Sequence, residues 1–493
     1  MNEADHRSSD RPLHDYLILS RAAIDEPPAA RHYAVFLCVY SLALTYGSWL
    51  PFQFSRHNTR EAAALFRRVL AQPIQWSTSS DFTINGLLWV PLAFAAMGVI
   101  CVDRSRRWSL WAGIPVLIGC AGLSFLVEFG QTWIPQRNES QNDIAAQIVG
   151  AVVGVLLWIF GGDHFNNWVR DALNDDGGTA RLRRLLEIYC VGFILYAVMP
   201  LDAVSNLDEW RARFTSGHCN ALPLQGLEFN LASCALIVKK IAYWIPIGLL
   251  FGLSTDAAAT NRPSRWRAVL RGACLLIATE AAQSWIRSRD ANVNDVIFGI
   301  VGLALGATCG PLLPWNVGFR FLGHQRPSWF RAAAASLAFA YLAFLFVLFW
   351  YPFRRVHDPH ILTERWRSFF SLPFIRLWSG SEFNALGQII LKSGVFAILG
   401  GLVALTFPPP ADEPGEHFRR RWSIISLVGL MAGIMEAGQI FFSTRYPDAF
   451  DVVLASLGAT AGVWFIEYLS EPLDPQPAAH PRFRGVPYKR QDC

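Results

Sequence analysis

Twelve apolar runs, each about as long as a membrane-spanning helix, constrain this chain more than any other feature. They cover residues 32–53, 82–101, 109–132, 144–161, 184–201, 235–253, 266–285, 296–314, 332–352, 386–407, 423–442 and 452–469. A helix rises ~1.5 Å per residue, so roughly 20 apolar residues cross the hydrocarbon core of a bilayer. Lipid offers no hydrogen bonds, so each spanning segment must satisfy its own backbone polar groups. The runs therefore predict an all-α polytopic membrane protein with about 12 transmembrane helices.

The composition agrees with lipid as the solvent of much of the surface. Charged residues make up 16% of the 493 residues, whereas soluble domains average roughly 25%. The 19 Trp suit the aromatic belts at membrane interfaces. The net charge of +5 comes without a long basic run, so we expect no nucleic-acid partner. The nine cysteines are scattered singly, so we expect no disulfide framework, no metal site and no other cofactor.

Arginine in the short loops predicts the orientation. Three arginines lie in or beside each of the loops after the second, sixth and tenth runs, whereas the loops after the third, seventh and eleventh carry one or two. Because Arg-rich loops stay in the cytoplasm, both termini are predicted to be cytoplasmic, in a multi-pass protein of the bacterial inner membrane. Residues 1–31 lack an apolar core, so we expect no cleavable signal peptide. The long loops near 54–81, 202–234 and 354–385 are then extracytoplasmic.

A six-residue signature, E-x2-Q-x5-R-x5-D-x6-G-x3-G, occurs three times with the same spacing. The copies are Glu128, Gln131, Arg137, Asp143, Gly150 and Gly154; Glu280, Gln283, Arg289, Asp295, Gly302 and Gly306; and Glu436, Gln439, Arg445, Asp451, Gly458 and Gly462. The residues between them differ freely, so the shared positions indicate an internal repeat. Each repeat holds an even number of apolar runs, so the copies should run parallel in the membrane rather than inverted.

Weaker similarities extend the repeat to whole modules. The first run of each module ends at Pro followed by Phe or Leu, and the second run carries a polar residue six positions before Pro or Ile. Those polar residues are Asn85, Lys240 and Lys392. We therefore predict three parallel four-helix repeats at 32–165, 180–315 and 330–470. They lie between a cytoplasmic polar segment, 1–31, and a cytoplasmic tail, 471–493.

This pattern resembles the VanZ-like family, small membrane proteins named after an accessory factor in resistance to the glycopeptide antibiotic teicoplanin. The family pattern has N-x5-P-x-G in one span, then E-x2-Q and an Arg, and then an Asp that opens the last helix before an Asn and a Gly. The resemblance covers about residues 32–469 as three tandem modules, and the Glu, Gln, Arg and Asp match in every copy.

The chain departs from the family pattern at two places. The Asn four residues after the Asp is replaced by Gln147, Gly299 or Ala455, and the Asn of the second span survives only as Asn85. The modules have therefore diverged. Because the first module keeps most of the family pattern, we expect it to be the most sensitive to substitution.

The signature places charges where lipid makes them costly. Glu and Gln three apart share one helix face, and a carboxylate inside a span faces the bundle interior or a wet cleft. The Arg in the short connection can reach back to the Glu or across to the Asp, with the planar fork that suits carboxylates and phosphates. Together with Asn85, Lys240 or Lys392, these side chains are predicted to form outward-facing binding clefts. The Gly pairs of the fourth helix permit close helix packing.

Structural interpretations of the same residues stay open. Ser140, Asn292 and Asp448 stand three residues before the Asp of each copy, so each Asp suits the third position of a capping box. A Glu–Arg–Asp network can also serve only to hold the helical hairpin together. Lys240 and Lys392 can extend toward the interface or bind an anionic head group.

Three functions fit the pattern. We favour an accessory protein whose outward clefts recognise a cell-envelope molecule: a lipid-linked glycan, a peptidoglycan precursor or an exported polysaccharide, with glycopeptide resistance as one outcome. The second is a membrane enzyme that uses the Glu–Asp pair on a glycosyl or phosphoryl bond, although no nucleophile or His base recurs and we assign no catalytic residue. The third is a transporter, against which no repeated charge lies near the midplane. Membrane lipid is the other expected partner.

Overall fold

A computed structural model describes residues 27–56, 58–74, 80–137, 140–174, 178–199, 201–204, 206–225, 231–254, 262–309, 326–351, 353–370, 382–410, 414–442 and 447–470. Within these ranges the chain forms fifteen helices and two strands of two residues each. We call residues 32–165, 180–315 and 330–470 the first, middle and third segments. The described part of the chain is therefore almost entirely helical.

The helices follow the same order in each segment, with a short one second. The first segment holds α1 (Ala30–Trp49), α2 (Thr59–Leu70), α3 (Ser80–Cys101), α4 (Arg106–Gln131) and α5 (Gln141–Asn174). The middle segment holds α6 (Gly178–Val198), α7 (Leu207–Thr215), α8 (Leu231–Ser254), α9 (Arg262–Ser284), α10 (Val293–Cys309), and the paired parallel strands β1 (Cys219–Asn220) and β2 (Ala291–Asn292). The third segment holds α11 (Ser328–Trp350), α12 (Pro359–Phe369), α13 (Glu382–Thr406), α14 (Pro414–Gln439) and α15 (Phe450–Ser470).

Eight of the described helices are long and apolar enough to cross a membrane. Their spans are Asp81–Cys101, Arg106–Gln131, Gln141–Asn174, Leu236–Leu253, Ser328–Trp350, Gly387–Thr406, Gly415–Gln439 and Phe450–Ser470. The four remaining predicted runs overlap the described helices α1, α6, α9 and α10, and α10 contains a shorter apolar stretch. The chain is thus an all-α protein with the helices of a multi-pass membrane protein.

The second and fourth long helices of each segment pack against each other most extensively, as the pairs α3–α5, α8–α10 and α13–α15. A Cβ on the first glycine of each signature would lie 1.8 to 2.2 Å from a carbonyl oxygen of the facing helix; these glycines are Gly150, Gly302 and Gly458. A Cβ on the second would lie 2.0 to 2.4 Å from another such oxygen; these are Gly154, Gly306 and Gly462. Only a residue without a side chain permits these backbone contacts.

A tight turn ends the first helix of each segment. Phe52, Leu201 and Phe353 have φ values of 59°, 62° and 60°, a left-handed region that bulky residues rarely adopt. Three residues further on, a backbone N–H donates to the connection between the third and fourth long helices. The donor–acceptor pairs are Ser55–Trp133, Val204–Trp285 and Val356–Phe441. The same turn therefore holds the connection that carries the signature in all three segments.

Candidate functional site

The Asp of each signature contacts the polar residue of the second long helix. The side-chain pairs are Asn85–Asp143 at 2.9 Å, Lys392–Asp451 at 2.5 Å, and Lys240–Asp295. These are the residues that the sequence analysis placed near one another. The contact joins the first turn of the fourth long helix to the second long helix, beside the glycine contacts. The Asn85–Asp143 contact is a hydrogen bond from a neutral amide to a carboxylate, and the two lysine contacts are ion pairs.

The Glu of each signature accepts a hydrogen bond from the start of the next helix. Oε2 of the Glu lies 3.3 to 3.4 Å from a backbone nitrogen twelve residues later; the pairs are Glu128–Ser140, Glu280–Asn292 and Glu436–Asp448. The first N–H groups of a helix have no partner within the helix and carry partial positive charge, which suits a carboxylate. The Glu therefore ties the third long helix to the fourth.

The side chains of Ser140, Asn292 and Asp448 cap those helices, as predicted; Ser140 and Asn292 directly precede α5 and α10, and Asp448 lies two residues before α15. Each side chain accepts from the backbone N–H two residues later, at 3.1, 2.9 and 2.9 Å respectively. In a capping box the third-position carboxylate accepts from the N–H of the cap residue. Here that N–H is donated to the Glu of the preceding helix. The Glu thus takes the role that the capping-box interpretation gave to the Asp.

The Arg of the signature bonds the end of the first helix. Arg137 donates from Nη2 and Nε to the carbonyl oxygens of Gly47 and Leu50, at 2.9 and 3.0 Å. Arg289 makes the equivalent bonds, at 2.5 and 2.6 Å, with Tyr196 and Met199. The last carbonyl groups of a helix lack intrahelical partners and favour a cation. We expected these guanidinium groups at the Glu or the Asp, and Arg445 lies outside the described residues.

An amide covers the second carboxylate oxygen of the Glu in two segments. Gln147 Nε2 donates to Glu128 Oε1 at 3.0 Å, and Gln439 Nε2 donates to Glu436 Oε1 at 3.1 Å. Gln131, the signature Gln of the first segment, instead donates to a carbonyl oxygen of α1. Glu128 and Glu436 are only 1% and 2% exposed. Both carboxylates are therefore sealed within their helix bundles.

The middle segment lacks this covering amide. The position of Gln147 is occupied by Gly299, and Gln283 Nε2 donates to Ala197 O at 3.1 Å, at the end of α6. Within the described residues Glu280 accepts on Oε2 from Asn292, and no donor reaches Oε1. Glu280 is partly exposed. The same signature therefore gives two closed carboxylates and one that a ligand can reach.

An open cavity of about 330 Å³ surrounds Glu280. Its polar lining includes all five signature or partner residues of the middle segment, and its other walls are mainly aromatic. The polar residues are Lys239, Lys240, Thr279, Glu280, Gln283, Ser288, Arg289, Asp290 and Asp295, and the aromatic ones are Phe193, Tyr196, Tyr243 and Trp244. Three cations and three carboxylates thus face one cavity. Within the described ranges, no group of three His, Cys, Asp or Glu side chains is arranged to hold a metal ion.

Sequence reasoning missed a tryptophan contact that distinguishes the segments. Trp49 Nε1 donates to Val127 O at 3.1 Å, and Trp350 Nε1 donates to Met435 O at 3.0 Å. Each indole lies against a glycine two residues after the Glu, where a Cβ would lie 2.5 or 2.4 Å from the ring; these are Gly130 and Gly438. The middle segment has Val198 and Ala282 at these positions. The pairing of Trp with Gly was the available signal.

Two buried arginines of the short helices were also missed. Arg365 in α12 donates to the carbonyl oxygens of Gln439, Ile440 and Phe442 at 2.5 to 2.9 Å. Arg213 in α7 bonds the carbonyl oxygens of Arg287 and Arg289. Both lie seven residues after the N-cap of their helix, at Asp358 and Asn206, whereas α2 has Leu65 there. These arginines fix the connection that follows the signature Gln.

The first and third segments match a known protein family. The family model described as VanZ/LLP1 matches residues 34–162 and 338–470, which is more than half of the chain. The middle segment lies between the two matches. No match was found among curated proteins or among solved structures.

Proposed function

This chain belongs to the VanZ/LLP1 family, and from that premise we propose that it is a VanZ-type accessory protein that recognises a cell-envelope molecule through the middle segment. The candidate ligands are a lipid-linked glycan, a peptidoglycan precursor or an exported polysaccharide. Glycopeptide resistance is one phenotype that such recognition would produce. We propose a binding role because the cavity of the middle segment offers charged and hydrogen-bonding groups in a site that a ligand can enter.

The observation that carries this proposal is the accessibility of Glu280. Glu280 lines an open cavity with Lys240 and Asp295, whereas Glu128 and Glu436 are almost fully buried. A sealed carboxylate can hold helices together, but it cannot contact a ligand without a rearrangement. We therefore assign recognition to the middle segment, although the sequence pattern favoured the first. In this proposal the first and third signatures brace their bundles.

We further propose twelve spans, arranged as three parallel four-helix modules in the bacterial inner membrane. The shared turns, glycine contacts and Glu-to-cap bonds of the three segments support the middle segment as a third module. The Arg-rich loops support cytoplasmic termini. The cavity then faces the outside of the cell, where envelope precursors are assembled.

Cysteine labelling tests this topology. In a variant without native cysteines, Asn138→Cys, Asp290→Cys and Thr444→Cys should react with a membrane-impermeant maleimide added to whole cells. Arg104→Cys is the matched control, and it should react only after the membrane is opened. The reverse pattern would place the cavity in the cytoplasm and remove the envelope-facing role.

Three matched Glu→Gln variants test the assignment to the middle segment. Glu→Gln keeps the shape of the side chain and removes its charge. Glu280→Gln should leave membrane abundance and thermal stability near wild type but abolish the envelope or glycopeptide phenotype. Glu128→Gln and Glu436→Gln should lower stability, because each replaces a buried carboxylate that accepts two hydrogen bonds. If Glu280→Gln retains full function, the proposed binding role is wrong.

A further inference from the structure

Among the described residues, Lys239 is the one cation of the middle cavity that contacts neither a carboxylate nor a carbonyl oxygen. Lys240 is paired with Asp295, and the N–H groups of Arg289 donate to the carbonyl oxygens of Tyr196 and Met199 at the end of α6. Lys239 is exposed, and its Nζ lies 5.6 Å from the centre of the Tyr243 ring. Among the described residues it forms no ion pair. An ammonium group of this kind is a common phosphate ligand, acting as a point charge.

The same cavity presents an acceptor that the other two segments have filled. Gln147 and Gln439 each donate an amide N–H to Oε1 of their Glu, but Glu280 Oε1 receives no such bond from the described residues. A ligand group that donates N–H hydrogen bonds and carries a positive charge would pair with this carboxylate oxygen. Tyr196, Tyr243 and Trp244 line the same cavity, and aromatic faces attract cations. An ammonium group satisfies both features.

Two exposed and largely apolar side chains line the cavity. Tyr196 and Leu236, on the two helices that flank it, are 55% and 54% exposed, and exposed apolar side chains on membrane helices contact acyl chains. Lys239 lies four residues inside the predicted apolar run 235–253, or ~6 Å along the helix axis at ~1.5 Å per residue. From that depth a lysine side chain can extend to the level of the lipid head groups. A ligand can therefore enter from the membrane.

We propose that this cavity binds the head group of a membrane lipid that carries both a phosphate and a primary ammonium group. The phosphate lies at Lys239, and the ammonium lies at Glu280 Oε1 between the aromatic walls. The inference rests on the proposed recognition role of the middle segment and names the chemical class of its ligand. The acyl chains stay in the bilayer, beside Tyr196 and Leu236.

Lipid titration tests the proposal. The full chain is reconstituted in phosphatidylcholine nanodiscs, and binding of short-chain phosphatidylethanolamine, phosphatidylglycerol and soluble O-phosphoethanolamine is measured by native mass spectrometry and thermal shift. Phosphatidylethanolamine should bind at least tenfold more tightly than phosphatidylglycerol, which has the phosphate without the ammonium. It should also bind more tightly than the soluble head group. Equal binding of the two lipids would overturn the ammonium assignment, and equal binding of O-phosphoethanolamine would overturn entry from the membrane.

Variants locate the two charges. Glu280→Gln should remove the preference for phosphatidylethanolamine over phosphatidylglycerol, whereas Lys239→Gln should weaken the binding of both lipids. Glu128→Gln is the matched control and should keep the preference. If the preference for phosphatidylethanolamine survives Glu280→Gln, the ammonium does not bind at Glu280 and the proposal is overturned. If that variant nevertheless loses the envelope phenotype, the accessory role stands with another ligand. A lost preference with an intact phenotype supports the ligand class and rejects the accessory role.

Discussion

Lys392→Met should destabilise the protein far more than Lys240→Met, although both remove the cation beside the signature Asp. The Lys392 and Asp451 side chains are 28% and 10% exposed, whereas those of Lys240 and Asp295 are 33% and 25% exposed. The second pair also lines the open cavity. Burial should therefore decide how much each lysine contributes to the free energy of unfolding, because solvent weakens the interaction between exposed charges.

The expected magnitudes follow from this difference in burial. Removing one partner of a buried ion pair leaves the other charge in a poorly solvated place and costs roughly 3–5 kcal/mol. An exposed pair contributes ~0–1 kcal/mol. Because Lys392 is partly exposed, we expect Lys392→Met to cost about 3 kcal/mol, at the lower end of the range for buried pairs. Lys240→Met should cost about 1 kcal/mol or less.

The assay is unfolding in mixed micelles by titration with SDS, with helix content followed by circular dichroism. Lys392→Asn is the matched control, because it introduces the residue that the first segment has at Asn85 and can still donate to Asp451. It should cost less than Lys392→Met. Adding Asp451→Asn to Lys392→Met should recover most of the loss, since the buried charge is then gone. Equal losses for the two Met variants, or no recovery in the double variant, would refute the argument from burial.

Three further substitutions test the packing around the signature. Gly150→Ala should cost ~1–3 kcal/mol, because its Cβ would lie 1.8 Å from a carbonyl oxygen of α3, while Gly161→Ala, with open space around its Cβ, should be neutral in the same unfolding assay. Trp350→Phe keeps one aromatic ring but loses the N–H bond to α14 and the packing of the second ring on Gly438, so the unfolding free energy should fall by at least ~1 kcal/mol; an unchanged value would show that neither contact stabilises the fold. Arg365→Met should leave carbonyl groups at the end of α14 unpaired and speed hydrogen exchange there, an effect that would be absent if water replaced the guanidinium without loss.

Much of the architecture follows from local rules that the sequence states directly. The apolar runs have the length of membrane helices, and each of the twelve overlaps a helix of the described part of the chain. Ser140, Asn292 and Asp448 cap helices because a short polar side chain can accept from the N–H groups that the first turn leaves unpaired. The proximity of each signature Asp to Asn85, Lys240 or Lys392 was also predictable, because the repeat placed both at the same end of their helices.

The partners of the signature side chains were decided by tertiary structure. A charge pattern shows that Glu, Arg and Asp need partners, but opposite charge made the pairing of Arg with a carboxylate the natural expectation. In the folded chain Arg137 donates to carbonyl groups at the end of the first helix, and Glu128 accepts from the N–H of the next cap residue. Helix ends offer partial charges that a sequence pattern does not locate in space.

Which signature stays open was likewise settled outside the signature. All three copies share the same six residues, yet Glu128 and Glu436 are sealed while Glu280 lines a cavity. The difference lies in neighbours that vary: a covering amide in the first and third segments, and an indole packed on a glycine in both. The sequence by itself determined the helices and the positions of the charges. Exposure depends on how side chains from several helices fill one space, and only the tertiary structure brings those helices together.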